Sequence, residues 1–182
     1  MKKSLLISLT VIFLLLCACS SGENAEYSYA REGLNAYIGQ DGRQLIFEDL
    51  PESEAEAAVA DRYYFEFSRD YDAWLALDKT LVEGTLENTE KAYQEGYYIQ
   101  TAIIRNLDTI QAADLETDRY MPDYLEILEE NHLKEYAFVM ATVEQKWSKT
   151  DRAPQVGDGE YRQLFLVGKA GSQYYIYQAS MR

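Results

Sequence analysis

The chain has 182 residues, with 31 acidic against 17 basic side chains and a net charge of −14. That length suits one domain with a tail, and 47% hydrophobic residues is the composition of a folded globule. The acidity argues against recognition of a phosphate backbone, so nucleic acid is not an expected partner, and against docking on anionic lipid through a basic patch.

Met1-Lys2-Lys3 precedes an apolar run, Leu5 to Leu16, which is shorter than the roughly 20 residues needed to span a bilayer and fits the core of a secretory signal peptide. The segment that follows, Leu16-Cys17-Ala18-Cys19 and then Ser20-Ser21-Gly22, resembles a bacterial lipobox. The resemblance implies cleavage after Ala18, a diacylglycerol on the Cys19 thiol, and residues 1–18 as a lipoprotein signal peptide. The only two cysteines are Cys17 and Cys19, so the exported part has no disulfide, no thiol nucleophile and no thiolate metal site. Each buried CH₂ of an acyl chain contributes about 0.8 kcal/mol, and two chains hold a protein durably on a membrane. The expected location is the extracytoplasmic face of the cell membrane, with outer-membrane sorting if the envelope is Gram-negative.

Residues 19–34 read as the lipidated cysteine and a polar tether, and residues 35–182 as one domain. Asp41-Gly42 is a turn signal between Ala36-Tyr37-Ile38 and Leu45-Ile46-Phe47, which predicts a small hairpin or an edge strand. Ser53 followed by Glu56 is a capping-box pattern. Val59, Tyr63, Phe67 and Tyr71 then recur every four residues, with Tyr64, Trp74 and Leu75 widening the stripe, so a continuous helix is expected from Ser53 to Lys79. A short helix from Thr89 to Glu95 stops at Gly96. Tyr97 to Ile110 reads as a strand with Ile99, Thr101, Ile103, Arg105 and Leu107 on one face. A helix from Asp123 to Leu133 follows Pro122, and strands are expected over Glu135–Lys149, Gly159–Lys169 and Ser172–Met181. Helices followed by a meander give an α+β fold, with a long N-terminal helix and shorter helices on one face of a curved antiparallel sheet.

The run Gly96-Tyr97-Tyr98-Ile99, the strand end Lys146-Trp147-Ser148, Gly159-Glu160-Tyr161-Arg162 leading into Leu164-Phe165-Leu166-Val167, and the ending Gln173-Tyr174-Tyr175-Ile176-Tyr177 are similar to small bacterial lipoproteins with an NTF2-like (cystatin-like) fold. Tyr175 departs from them, standing where many carry Trp. The resemblance spans roughly Ser53 to Met181 and implies a cone-shaped sheet around the long helix. It does not carry a function.

In NTF2-like enzymes the sheet and helix enclose an apolar pocket. On that resemblance Tyr63, Tyr64, Phe67, Phe165, Tyr175 and Tyr177 would line a pocket here, with Asp108 as the nearest base; the competing reading is that these rings fill the core. The single histidine, His132, is expected at a solvated helix end and cannot make a two-histidine metal site. Asp114, Glu116 and Asp118 alternate but lack the glycine and the closing Glu of a calcium loop. There is no Gly-x-Ser-x-Gly elbow and no phosphate loop. No metal and no cofactor are expected. Two functions remain: a lipid-anchored binding or accessory domain for an envelope protein or a small apolar ligand, or a small pocket enzyme of isomerase or dehydratase type using a buried carboxylate. If the lipobox is used, Cys19→Ala releases the protein from the membrane fraction or leaves it unprocessed. Membrane retention of a processed Cys19→Ala chain would show another anchor.

Overall fold

The computed structural model describes residues 36–149 and 157–182, so the leader, Ala18, Cys19, the tether and most of the Thr150–Asp158 connection lie outside the described residues. The fold is α+β: four helices pack on one open six-stranded sheet with the strands in chain order. Strands β1 (Ala36–Ile38) and β2 (Gln44–Phe47) form the hairpin expected around Asp41-Gly42, where Gly42 takes φ 81. Helices α1 (Glu54–Ser68), α2 (Tyr71–Leu77) and α3 (Thr85–Gln94) intervene before β3 (Ile99–Ile110). A 3₁₀ turn (Ala112–Leu115) and α4 (Met121–Glu130) lead to β4 (Tyr136–Trp147), β5 (Gly159–Ala170) and β6 (Gln173–Met181).

The capping box forms. Glu56 N–H donates to Ser53 Oγ at 3.2 Å and Ser53 N–H donates to the Glu56 carboxylate at 3.1 Å. The other Glu56 oxygen accepts from the Thr109 N–H and hydroxyl at 3.0 and 2.7 Å, tying α1 to β3.

The continuous helix to Lys79 is not observed. The chain breaks at Arg69, which adopts a left-handed conformation (φ 61, ψ 29), and restarts with Asp70, whose carboxylate accepts from the Ala73 N–H at 3.1 Å. An Asp with a competing N-cap role ends one helix and opens the next. The break turns Trp74 and Leu77 into the interior and leaves Leu75, expected on the buried stripe, 51% exposed. Helix α3 starts earlier than expected, directly after Gly84 at φ 82.

The sheet is not wholly antiparallel, because β2 pairs with β3 in parallel. The three helices between them supply the long crossover that parallel pairing needs. Nor do the helices keep to one face. Val139, Ala141, Val143, Phe165 and Val167 join a core with Val59, Tyr63, Phe67 and Leu77 of α1 and α2. The alternate residues Phe138, Met140, Leu164 and Leu166 join a second core with Leu115 and Tyr124. Strands apolar at nearly every position are covered on both sides, so these runs had no solvent face to give. In β3 a register shift between Ile104 and Asn106 moves Leu107 into the first core with Ala102 and Ile104, away from the face its spacing predicts. His132 is exposed, as expected, with φ 52 beyond the end of α4.

Phe67 is 1% exposed, and its ring also carries the Arg43 guanidinium at 5.4 Å. Phe67→Ala is expected to cost about 3–5 kcal/mol in urea unfolding. Asp70→Ala, which removes only the cap of α2, is expected to cost about 1 kcal/mol.

Candidate functional site

The aromatic residues expected to line one pocket are spread over both faces of the sheet, and Phe67 among them borders a depression described below. Tyr63, Phe67 and Phe165 are packed in the first core, with Tyr63 and Phe165 edge to face at 6.3 Å and the Tyr63 hydroxyl donating to Gln163. Tyr64 is half-buried against Tyr37 at 5.1 Å. Ile176 points into the first core, so Tyr175 and Tyr177 lie on the opposite face, Tyr177 against the second core. Asp108 is exposed and accepts a hydrogen bond from Asn106. Of the alternating acids, Asp118 is paired with Arg182 at 2.8 Å. Among the described residues no three His, Cys, Asp or Glu side chains gather as a metal site, and no helix is long and apolar enough to cross a membrane.

A cavity of about 410 Å³ does open elsewhere, where the end of α1, helix α3 and the adjoining ends of β3 and β4 meet. Its wall includes Tyr71, Tyr93, Tyr97, Tyr98, Ile99 and Trp147, with Arg43, Glu66, Thr85, Asn88 and Thr89 as the polar groups. This is the usual character of a small-molecule site, largely apolar with a few placed polar side chains. A second depression of about 590 Å³ adjoins it and shares Arg43 and Tyr71.

Local structure explains the wall. Gly96 takes φ 77 after α3, which lets the chain reverse into β3, and its carbonyl accepts from the Ser148 hydroxyl at 2.8 Å. Ser148 Oγ in turn accepts from the Tyr98 N–H at 3.1 Å, and Lys149 Nζ donates to the Glu95 carbonyl at 2.8 Å. These bonds pin the end of β4 to the start of β3, and the Tyr97 and Trp147 rings stack with centroids 4.9 Å apart. Both Tyr97 Oη and Trp147 Nε1 are buried without a hydrogen-bond partner among the described residues. A polar group left so costs about 1–3 kcal/mol, and the site carries two.

Charge around the cavity is arranged in ion pairs, one arginine being shared. Arg43 is 5% exposed; its Nε donates to Asp41 at 2.8 Å and its Nη2 to the Phe67 carbonyl at 2.7 Å. Burial by itself would raise Asp41, but hydrogen bonds from the Arg43 N–H, from Tyr93 and from the Arg43 side chain hold it below the usual range. Arg69 pairs with Glu90 at 2.8 Å. Arg62 donates to Asp78 at 2.9 Å and stands 3.6 Å from Glu66. The Asp78 side chain is fully buried and also accepts from Thr80 at 3.0 and 2.6 Å. Arg62 therefore serves two carboxylates, and Glu66 has the looser contact. Burial, helped by Asp78, raises the Glu66 pKa against the opposing pull of Arg62 and Arg43.

Comparison with protein-family models, with curated proteins and with solved structures finds no match to this chain. The site rests on its own geometry.

Sequence reasoning passed over Arg43, Glu66, Tyr93, Tyr97, Tyr98 and Trp147 as site residues. One signal was present: Glu66 interrupts the aromatic run Tyr63-Tyr64-Phe65-Glu66-Phe67, an acid where the pattern asks for a ring.

With its folded pKa raised, Glu66 binds its proton more tightly in the folded than in the unfolded chain. Its contribution to stability is full below the ordinary value of 4.5 and is lost as pH rises through the raised value. Glu66→Gln has no such proton. Urea unfolding across that pH range is expected to show wild type losing stability relative to Glu66→Gln as pH rises; parallel curves would show that Glu66 is not held in a desolvated site.

Proposed function

We propose that the chain is a lipid-anchored extracytoplasmic domain that binds a small ligand in the cavity walled by Tyr71, Tyr97, Tyr98 and Trp147. The observation that carries this reading is the cavity itself, about 410 Å³ and walled by Tyr71, Tyr93, Tyr97, Tyr98, Ile99 and Trp147, with Arg43 and Glu66 among its few polar groups. The lipobox-like Leu16-Cys17-Ala18-Cys19 supports the anchor, which would confine the domain near the membrane and raise its effective concentration for ligands or proteins there. The domain is read as a variant of the NTF2-like cone. What supports that is α1 packed on β4, β5 and β6, with its expected continuation split off as α2.

The enzyme reading keeps one observation of its own. A carboxyl with a raised pKa does line a cavity, but it is Glu66 and not Asp108. A pocket enzyme of isomerase or dehydratase type would use it to take up a proton.

Ligand-observed NMR on the full chain in nonionic detergent, with a panel of small neutral, cationic and anionic compounds, tests the proposal. Saturable binding is expected for at least one class, weakened about tenfold or more by Trp147→Leu, which removes one wall of the stack. Binding to no class, or binding unchanged in Trp147→Leu, would sink the cavity as a site. Recovery of the bound compound unaltered supports the binding domain; conversion that ceases in Glu66→Gln supports the enzyme.

A further inference from the structure

The charges and rings around the cavity select a ligand class. Arg43 is compensated by Asp41 at 2.8 Å and Arg69 by Glu90 at 2.8 Å. Arg62 lies closest to Asp78, at 2.9 Å, and reaches Glu66 only at 3.6 Å. Arg62 is thus shared, and Glu66, beside a wall of aromatic rings, holds it by the longer contact. The protein itself already uses such rings for a cation, since the Arg43 guanidinium stands 5.4, 5.0 and 5.8 Å from the ring centres of Phe67, Tyr93 and Tyr98. Ring faces are negative, and a desolvated cage of them favours an ammonium group over a neutral one of the same shape.

Resting on the reading of this cavity as a binding site, we infer that its ligand is a small organic ammonium ion, held against Glu66 and the rings of Tyr71, Tyr97 and Trp147. A carboxylate or phosphate would meet Glu66 with like charge, in a chain whose net charge of −14 already repels anions.

Choline and its carbon isostere 3,3-dimethylbutan-1-ol have the same shape and the same hydroxyl and differ in the charge alone. Isothermal titration of the full chain in nonionic detergent is expected to show choline binding at least about tenfold more tightly than the isostere. In Glu66→Gln the two affinities are expected to converge, with the isostere unchanged. Equal affinity for the two compounds in wild type would overturn the cation inference and leave the binding cavity standing. The same holds if neither binds while a neutral or anionic compound of the NMR panel does. If no compound of any class binds, the cavity reading fails with it. Should Glu66→Gln fail to fold, the wild-type pair still decides.

Discussion

Arg43 is 5% exposed in a chain that carries nearly twice as many acids as bases, and four separate elements are arranged around its guanidinium. Its Nε holds Asp41 in the β1–β2 turn, and its Nη2 donates to the Phe67 carbonyl near the end of α1. The rings of Tyr93 from α3 and Tyr98 from the start of β3 lie against it. A cation at a helix C-terminus is favoured by the exposed carbonyls, and one already paired and stacked on rings loses less on leaving water. The hairpin, the helix break after Phe67 and the aromatic cavity therefore depend on a single buried charge.

The rest of the fold is built to keep that end fixed. The sheet is sandwiched, with Phe165 and Val167 facing α1 and α2 while Leu164 and Leu166 face α4. Strands packed on both faces cannot slip by one residue without exchanging two cores, so the ends of β3 and β4 are held in register. On that rigid edge the Ser148 hydroxyl and Gly96 carbonyl close the chain around Tyr97 and Trp147. Site residues thus come from element ends and turns, and the strands beneath supply the precision.

Much of this was legible in sequence, and the failures have physical causes. The hairpin at Asp41-Gly42, the capping box at Ser53 and the last three strands follow from local chemistry that tertiary context had no reason to override. The break at Arg69-Asp70 was hidden because the four-residue stripe runs through it, from Phe67 to Tyr71, and hydrophobic spacing does not report a competing cap. Leu107 changed face because a bulge is invisible to a period of two. The placement of helices on one face missed that Phe138 to Val143 and Leu164 to Val167 have no polar alternation, which is itself the mark of a strand buried on both sides. The site was missed for a different reason. A tyrosine in a core and a tyrosine in a cavity wall look alike in sequence, and only the path of the backbone separates Phe67 from Tyr97.

The distribution of unfavourable groups completes the case for that end of the molecule. The second core, around Tyr124, Phe138 and Leu166, leaves no buried side-chain polar atom without a partner, since the Tyr124 hydroxyl meets Ser180 at 3.0 Å and Arg182 at 2.6 Å. Among the described residues three such atoms lack partners, Trp74 Nε1 on the ring beneath Arg62 and Tyr97 Oη and Trp147 Nε1 in the stack behind the cavity, and Arg62 serves two carboxylates. Folding alone does not select this arrangement, because an apolar side chain in place of Glu66, or a Phe in place of Tyr97, would relieve it. Local departures from an otherwise consistent structure are the places where a requirement other than stability operates. Here one of them, Glu66 with its long contact to a shared arginine, borders the aromatic cavity, and its charge defines the complement that a ligand there must bring.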